Sequence, residues 1–200
     1  MTKEYNYLES RLDSIAKTFN DLVPTDPLEQ ANDNIQNIIK SYILLCHAEF
    51  EKYFEDIAWS VIKNAKENYD KNKQANLPLL HLVLMMKKEF KNNEAAEDRL
   101  NKLFSNYRAL IEGNHGIRKA NINGLYAPIG IPISILSDTY LDLLEIFAKK
   151  RGKIAHNVKE SLLTTYNYKQ EKEQIDTLLS ETLQEIDKKA EVLLCTKLTI

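Results

Sequence analysis

Residues 34–62 read NIQNIIKSYILLCHAEFEKYFEDIAWSVI, and this stretch decides the fold. Its apolar residues recur at the three- and four-residue spacing of a helix, which predicts one long helix over about 27–70. Thr25 or Asp26 is the predicted cap, with Pro27 near the first helical position. Because the centre is apolar nearly all round, we expect neighbouring helices or a partner subunit to bury it on several sides.

The same periodicity extends over the rest of the chain. Further helices are predicted at 3–22, 77–90, 97–111, 117–126, 137–157 and about 169–195. Gly113 is predicted to end the fourth helix, and 127–132 is predicted to be a tight apolar turn. No strand-like alternation, internal repeat or low-complexity linker occurs. We therefore predict one all-α helical bundle over 1–200, with an extra N-terminal helix in 1–25.

Composition narrows the possible functions. The net charge is −2, so the chain has no general electrostatic attraction for nucleic acid, and any RNA contact must be local. Cys46 and Cys195 form no CxxC pair, which favours a reduced, cytoplasmic protein. The N-terminal stretch has no apolar signal-peptide core, and no run is long and apolar enough to cross a membrane. We expect no membrane partner and no cofactor.

The stretch 141–158 carries the candidate chemistry. Tyr140, Leu144 and Phe147 form an apolar stripe that continues into Arg151. A guanidinium on a buried face needs a carboxylate partner, a subunit interface or a phosphate ligand. His156 follows five residues later, about 140° round an ideal helix. The two are therefore not stacked neighbours, and they can flank one cleft if a second copy of the helix faces the first across a two-fold axis.

An arginine and a histidine beside RNA can cleave it without a metal. Neutral histidine can accept the proton of a ribose 2′-hydroxyl near pH 7. Arginine can stabilise the negative charge on the phosphorane through paired hydrogen bonds. A second such spacing, Arg108 to His115, is rejected because the predicted helix stop separates the two residues. The simpler alternative for Arg151 and His156 is a salt-bridged arginine and a surface histidine.

The segment LLEIFAKKRGKIAHN at 143–157 resembles the signature helix of the HEPN family, whose ribonucleases carry Arg, four to six residues, and His. NHGI at 114–117, PIGI at 128–131 and CHAEFEKYF at 46–54 resemble elements of the RiboL-PSP-HEPN branch from bacterial defence and toxin loci. The resemblance covers about 30–195. It implies a helical bundle that forms a homodimer, in which two Arg–His motifs meet in one composite cleft.

The resemblance also implies site residues. Arg151 and His156 become the catalytic pair of a metal-independent endoribonuclease that leaves a 2′,3′-cyclic phosphate. Family members often have a polar residue after the arginine, where this chain has Gly152. Lys153 and Asn157 are the candidates to supply the missing contacts.

Two carboxylates of the second helix could support the pair. Glu49 and Glu51 are both candidates for orienting Arg151 or the histidine, and Glu51 is favoured because EKYF resembles the family helix. The alternative is a carboxylate that faces water. His47 lies four residues before Glu51, which indicates a local side-chain pair, and zinc is discounted for want of a third ligand.

The other polar candidates are given structural interpretations. His115 is expected to organise its loop in preference to lining an RNA path. His81 is expected to lie on a helix face. Tyr166 and Tyr168, with Lys159 and Lys169, could stack bases, but a solvated connector is favoured.

Three functions remain open. The first is a ribonuclease acting as a toxin or anti-phage effector, with RNA as substrate and a cognate antitoxin or other defence-system protein as candidate partner. The alternative is a non-catalytic HEPN module that binds RNA, nucleotide or a partner protein. The third is a structural helical protein, which burial of Arg151 against a carboxylate within one subunit would favour.

Overall fold

The central element is helix α2, Asp33–Asn72, in a computed structural model that describes residues 1–86, 95–156, 164–179 and 181–195. Its 40 residues make a helix about 60 Å long. Buried side chains such as Ile39, Phe50 and Ile57 line it along most of its length. Every other described α-helix contacts it. The prediction that neighbouring helices bury this segment on several sides is confirmed.

The remaining helices surround α2. They are α1 Lys3–Asn20, α3 Leu77–Met85, α4 Ala96–Glu112, α5 Lys119–Tyr126, α6 Asp138–His156, α7 Tyr168–Leu178 and α8 Glu181–Cys195. Short 3₁₀ turns occupy Glu29–Ala31, Ala127–Ile129 and Ile133–Ile135. No strand occurs within the described ranges, and the predicted all-α fold is confirmed. The buried apolar side chains form one continuous core.

The start of α2 differs from the prediction. The cap is Asn32, whose side chain accepts a hydrogen bond from the Asn34 amide at 2.9 Å, and 29–31 form a separate 3₁₀ turn. Buried side chains hold that turn in place: Gln36 Nε2 donates to the Gln30 carbonyl at 2.7 Å. Gln36 also pairs with the backbone of Tyr166, far along the chain. Helix α2 therefore begins at residue 33, six residues later than the start predicted from apolar spacing and capping residues.

The predicted single C-terminal helix is wrong, because α7 and α8 are separate helices. Tyr140 Oη donates to the Leu178 carbonyl at 2.7 Å, and Tyr5 Oη donates to the Leu179 carbonyl at 3.2 Å. In a continuous helix those carbonyls would accept from amides four residues later. Two tyrosine hydroxyls from α6 and α1 therefore satisfy the carbonyls at the break.

The apolar turn after α5 fits closely against α3. Gly130 has φ +80°, and a Cβ there would lie 2.7 Å from the ring of His81. Only glycine combines that backbone conformation with so close an approach. His81 is thus a partly buried packing residue on α3, as the helix-face interpretation allows.

Candidate active site

Helix α6 is fixed against two neighbours just before it reaches Arg151. The Phe147 ring lies 5.6 Å from the His47 ring and 6.1 Å from the Phe50 ring, both on α2. Lys150 Nζ donates to Glu171 Oε2 at 2.5 Å on α7. The described helix runs Asp138–His156, one residue later than the predicted start at 137, and the predicted end at 157 lies outside the described residues. Arg151 is thus positioned by the packing of α6 on α2 and by the ion pair of its neighbour Lys150 to α7.

Arg151 and His156 meet within one subunit. Arg151 Nη1 lies 3.4 Å from His156 Nε2, with the arginine half-buried and the histidine exposed. The 140° between their helix positions does not keep the two groups apart, because the long arginine side chain spans it. A guanidinium can only donate, so this contact requires an unprotonated Nε2.

The Arg151 guanidinium has no carboxylate within 4 Å among the described residues. Glu145, on the same helix, contacts Arg118 and Lys149 instead, at 3.8 and 3.7 Å. The structure thus lacks, in its described part, the intramolecular carboxylate pair that would favour a purely structural role for Arg151.

His47 packs against Phe147 of α6 and is only 2% exposed. Burial, and next the positive charge of Arg151, lower its pKa to about 4. At neutral pH the ring is therefore uncharged, and its 3.7 Å approach to Glu51 Oε2 is a contact between a neutral imidazole and a carboxylate. The predicted local pair is present. Within the described residues, no group of three or more side chains has the arrangement of a metal site.

Glu51 and Glu55 continue the row that His47 begins, at four-residue spacing on one face of α2. Burial, then the neighbouring Glu55, raises the pKa of Glu51, while the charges of Arg151 and His115 lower it. Burial also raises the pKa of Glu55, against the hydrogen bond that Asn114 donates to it. Glu51 therefore lies within the electrostatic reach of Arg151, and Glu55 lies one turn further along α2, beside Asn114.

Glu49 is not part of this site. Its Oε1 accepts from Arg11 Nε at 3.0 Å, so the carboxylate faces α1. Of the two candidates, only Glu51 lies within the electrostatic reach of Arg151. Position 49 is offset by two residues from the row of His47 and Glu51, which puts it on another side of the helix.

Asn114 organises the loop that follows α4. Its Nδ2 donates to Glu55 Oε1 and to the Gly116 carbonyl, both at 3.0 Å. The loop role predicted for His115 thus belongs to its neighbour, and His115 is exposed. Helix α4 ends at Glu112, as predicted, and Arg108 pairs with Glu112 at 2.8 Å, so the second Arg–His spacing forms no site.

The remaining candidates have mixed outcomes. Lys153 is exposed, and Asn157 and Lys159 lie outside the described residues. A Cβ on Gly152 would meet no atom within 4 Å, so the helix surface beside Arg151 is open. Tyr166 and Tyr168 are buried, at 6% and 8% exposure, so both the base-stacking and the solvated-connector interpretations are wrong.

Two site residues were missed from the sequence. Glu55 could have been found by extending the four-residue spacing of His47 and Glu51 by one more turn. Asn114 carried no comparable signal, because its partner lies 59 positions earlier. A cavity of about 880 Å³ lies elsewhere, between α1, α2 and α8, and none of these site residues lines it. The chemistry of the side chains, and not cavity size, identifies the site.

The described protein is all-α, and on α6 Arg151 and His156 are in contact, with Glu51 of α2 within the electrostatic reach of the arginine. A family model described as RiboL-PSP-HEPN matches residues 6–191, which is most of the chain. The chain therefore belongs to this HEPN family, as its motifs indicated, and HEPN domains are commonly associated with ribonuclease activity. No curated protein and no solved structure matches the chain. None of the described helices is long and apolar enough to cross a membrane.

Proposed function

We propose that the protein is a metal-independent endoribonuclease that acts as a toxin or anti-phage effector. The observation that carries this proposal is the 3.4 Å contact between Arg151 Nη1 and His156 Nε2, at a place open to solvent. Within the described chain the guanidinium lacks a carboxylate partner, so it is available to an anion. Membership of the HEPN family supports the same reaction class.

The reaction uses the substrate's own nucleophile. A phosphate of RNA takes the place of His156 as acceptor for the Arg151 guanidinium. The released His156 Nε2 accepts the proton of the adjacent 2′-hydroxyl, and that oxygen attacks phosphorus. Arg151 stabilises the phosphorane charge as the bond to the 5′-oxygen breaks. The 5′-oxygen leaves with the electron pair of its bond to phosphorus and takes a proton from water, and the protonated His156 returns its proton to solvent. The products are a 2′,3′-cyclic phosphate and a 5′-hydroxyl end.

Any electrostatic attraction for RNA must come from local positive charges, because the net charge of the whole chain is −2. Lys149 and Lys153 are exposed on α6, two residues before and two after Arg151, which puts both on another side of the helix. Their positive charges attract the RNA backbone without lining the Arg–His pair. We propose Glu51 as the carboxylate that orients Arg151 between turnovers, through its charge and not through a direct ion pair. Its burial makes the negative charge effective at longer range than it would be in water.

The test is cleavage of single-stranded RNA in EDTA. Wild type should cut RNA but not DNA, which lacks the 2′-hydroxyl. His156→Ala and Arg151→Ala should each lower the rate by about 10²–10⁴-fold. Arg151→Lys should rescue poorly, because an ammonium cannot form the paired hydrogen bonds. Arg108→Ala is the matched control, since that exposed arginine forms its ion pair with Glu112 on its own helix.

Three outcomes would contradict the proposal. Full activity in a purified His156→Ala variant would remove the proposed base, and a requirement for added magnesium would remove the metal-independent mechanism. Binding of RNA without cleavage by wild type would favour a non-catalytic HEPN module. In cells, expression of wild type should slow growth, and the two alanine variants should not. A cognate antitoxin or other defence-system protein is the proposed partner that relieves this effect.

We also propose that the protein is a homodimer with two such pairs in one cleft. Ile146 supports this, because it is 54% exposed on α6, the helix that carries Arg151. Ile146→Asp should give a monomer in sedimentation at micromolar concentration. Leu84→Asp, at a 64% exposed site on α3, should leave the dimer intact. A wild-type monomer under these conditions would refute the dimer.

A further inference from the structure

The cavity of about 880 Å³ between α1, α2 and α8 is separate from the candidate active site, since neither Arg151 nor His156 lines it. Its volume lies within the range of about 300–1,000 Å³ that is typical of sites for small organic ligands. Trp59 of α2, Tyr7 of α1 and Leu194 of α8 are the apolar and aromatic part of its wall. Trp59 and Leu194 are half-buried, while Tyr7 is 51% exposed, so part of this wall is open to solvent.

The most buried charged residue in the wall is Glu4, in the first turn of α1. It is 8% exposed, and its Oε1 accepts a hydrogen bond from Ser60 Oγ of α2 at 2.6 Å. Its Oε2 is also buried and has no hydrogen-bond partner among the described residues. Lys3 Nζ lies 3.7 Å from Oε1, beyond hydrogen-bond distance, and that lysine side chain is 88% exposed. The carboxylate therefore lacks a donor that would compensate for its lost hydration.

Two lysines in the same wall already have carboxylate neighbours. Lys52 Nζ lies 2.6 Å from Asp56 Oδ2, and Lys63 Nζ lies 3.8 Å from Glu67 Oε1, in each case one turn along α2. An anionic ligand would have to displace these carboxylates or accept their repulsion. A cationic ligand instead meets Glu4, which has no cation at hydrogen-bond distance in the described chain. The charges of the wall therefore favour a positively charged ligand.

We propose that this cavity binds a small aliphatic amine, with its ammonium group at Glu4 and its alkyl chain along Trp59 and Tyr7. An ammonium carries three donors and no acceptor, so it can supply the hydrogen bond that the carboxylate lacks. Aromatic rings attract cations, and the Arg108 guanidinium already lies 5.4 Å from the centroid of the Trp59 ring. The site goes beyond the proposed RNA cleavage and shares no residue with the Arg–His pair.

The test is a titration with three compounds of equal chain length, namely hexylammonium chloride, hexanol and sodium hexanoate. Trp59 is the only tryptophan of the chain, so its fluorescence reports on this cavity directly. Hexylammonium should change that fluorescence saturably, with half-saturation at about 1 mM, which is usual for so small a ligand. Hexanol and hexanoate should bind at least about tenfold more weakly, because neither brings a positive charge to the buried carboxylate.

Glu4→Gln should raise the half-saturating concentration of hexylammonium at least about tenfold, since it removes the charge but keeps an acceptor for Ser60. Glu9→Gln is the matched control, because it makes the same change at an exposed position of α1 that does not line the cavity. It should bind hexylammonium as wild type does. Arg151→Ala should also bind as wild type does, because the two sites are separate.

Four results would overturn the proposal: no saturable change with hexylammonium, equal binding of hexanol, equal binding of hexanoate, or wild-type affinity in Glu4→Gln. If circular dichroism shows that Glu4→Gln does not fold, Tyr7→Ala decides, because that exposed side chain can be removed without opening the core. Tyr7→Ala should bind hexylammonium about threefold more weakly than wild type. Unchanged affinity in that variant would overturn the proposal as well.

Discussion

Replacing His47 with glutamine should change how the stability of the protein depends on pH. In the folded chain, burial and the Arg151 charge hold the His47 pKa at about 4, against an ordinary value of 6.5. At about 1.4 kcal/mol per pH unit, this difference corresponds to roughly 3 kcal/mol. The ring is 2% exposed, so solvent screening reduces the effect little. The glutamine that replaces it in His47→Gln is polar and of similar size but does not titrate.

The sign follows from where the proton binds. Between pH 6.5 and about 4 the unfolded chain protonates His47 while the folded chain does not, so folding is opposed as the pH falls through this window. Glu51 and Glu55 act in the opposite sense, because their pKa values are raised in the folded state. Both carboxylates are present in wild type and in His47→Gln, so their contribution largely cancels in the comparison.

The assay is urea unfolding of both proteins at several pH values between about 7.5 and about 4. The free energy of unfolding of wild type minus that of His47→Gln should fall by about 3 kcal/mol across the window. The absolute stability of the variant does not matter, since only the slope of the difference is used. A difference that stays constant, or that rises on acidification, would refute the argument that His47 is buried as a neutral ring beside Arg151.

Three further predictions use matched variants. Gly152→Ala should raise the free energy of unfolding by up to about 1 kcal/mol, because alanine favours the helix and its Cβ meets nothing within 4 Å. A lower free energy of unfolding in chemical denaturation would contradict this prediction. Glu51→Gln should slow RNA cleavage by about tenfold, which corresponds to about 1.4 kcal/mol of transition-state stabilisation. Glu49→Gln should cleave at the wild-type rate, and equal cleavage rates for the two variants would count against a role for Glu51. Tyr126→Phe should not lower the melting temperature, since its buried hydroxyl has no hydrogen-bond partner in the described chain, whereas Tyr107→Phe should cost about 1–2 kcal/mol by leaving a carbonyl unsatisfied.

Much of the candidate site could be predicted from local sequence because its parts lie on helices. The motif helix and the spacing of Arg151 and His156 follow from one continuous segment. The row formed by His47 and Glu51 follows from the four-residue repeat of α2. Sequence spacing could not decide between Glu49 and Glu51, because the decision depends on Arg11 of α1, which pairs with Glu49 in the folded chain.

The sequence by itself determined the all-α class, the central position of the second helix and the place of the motif, because helical periodicity and the stop at Gly113 act over a few residues. Only the tertiary structure decided where α2 begins and why the last helix divides. Those features depend on Gln36 with Tyr166, and on Tyr140 with Leu178, pairs 130 and 38 positions apart. Hydrogen bonds between residues so far apart in the sequence cannot be predicted from local periodicity, because only the packing of the helices brings the two partners together.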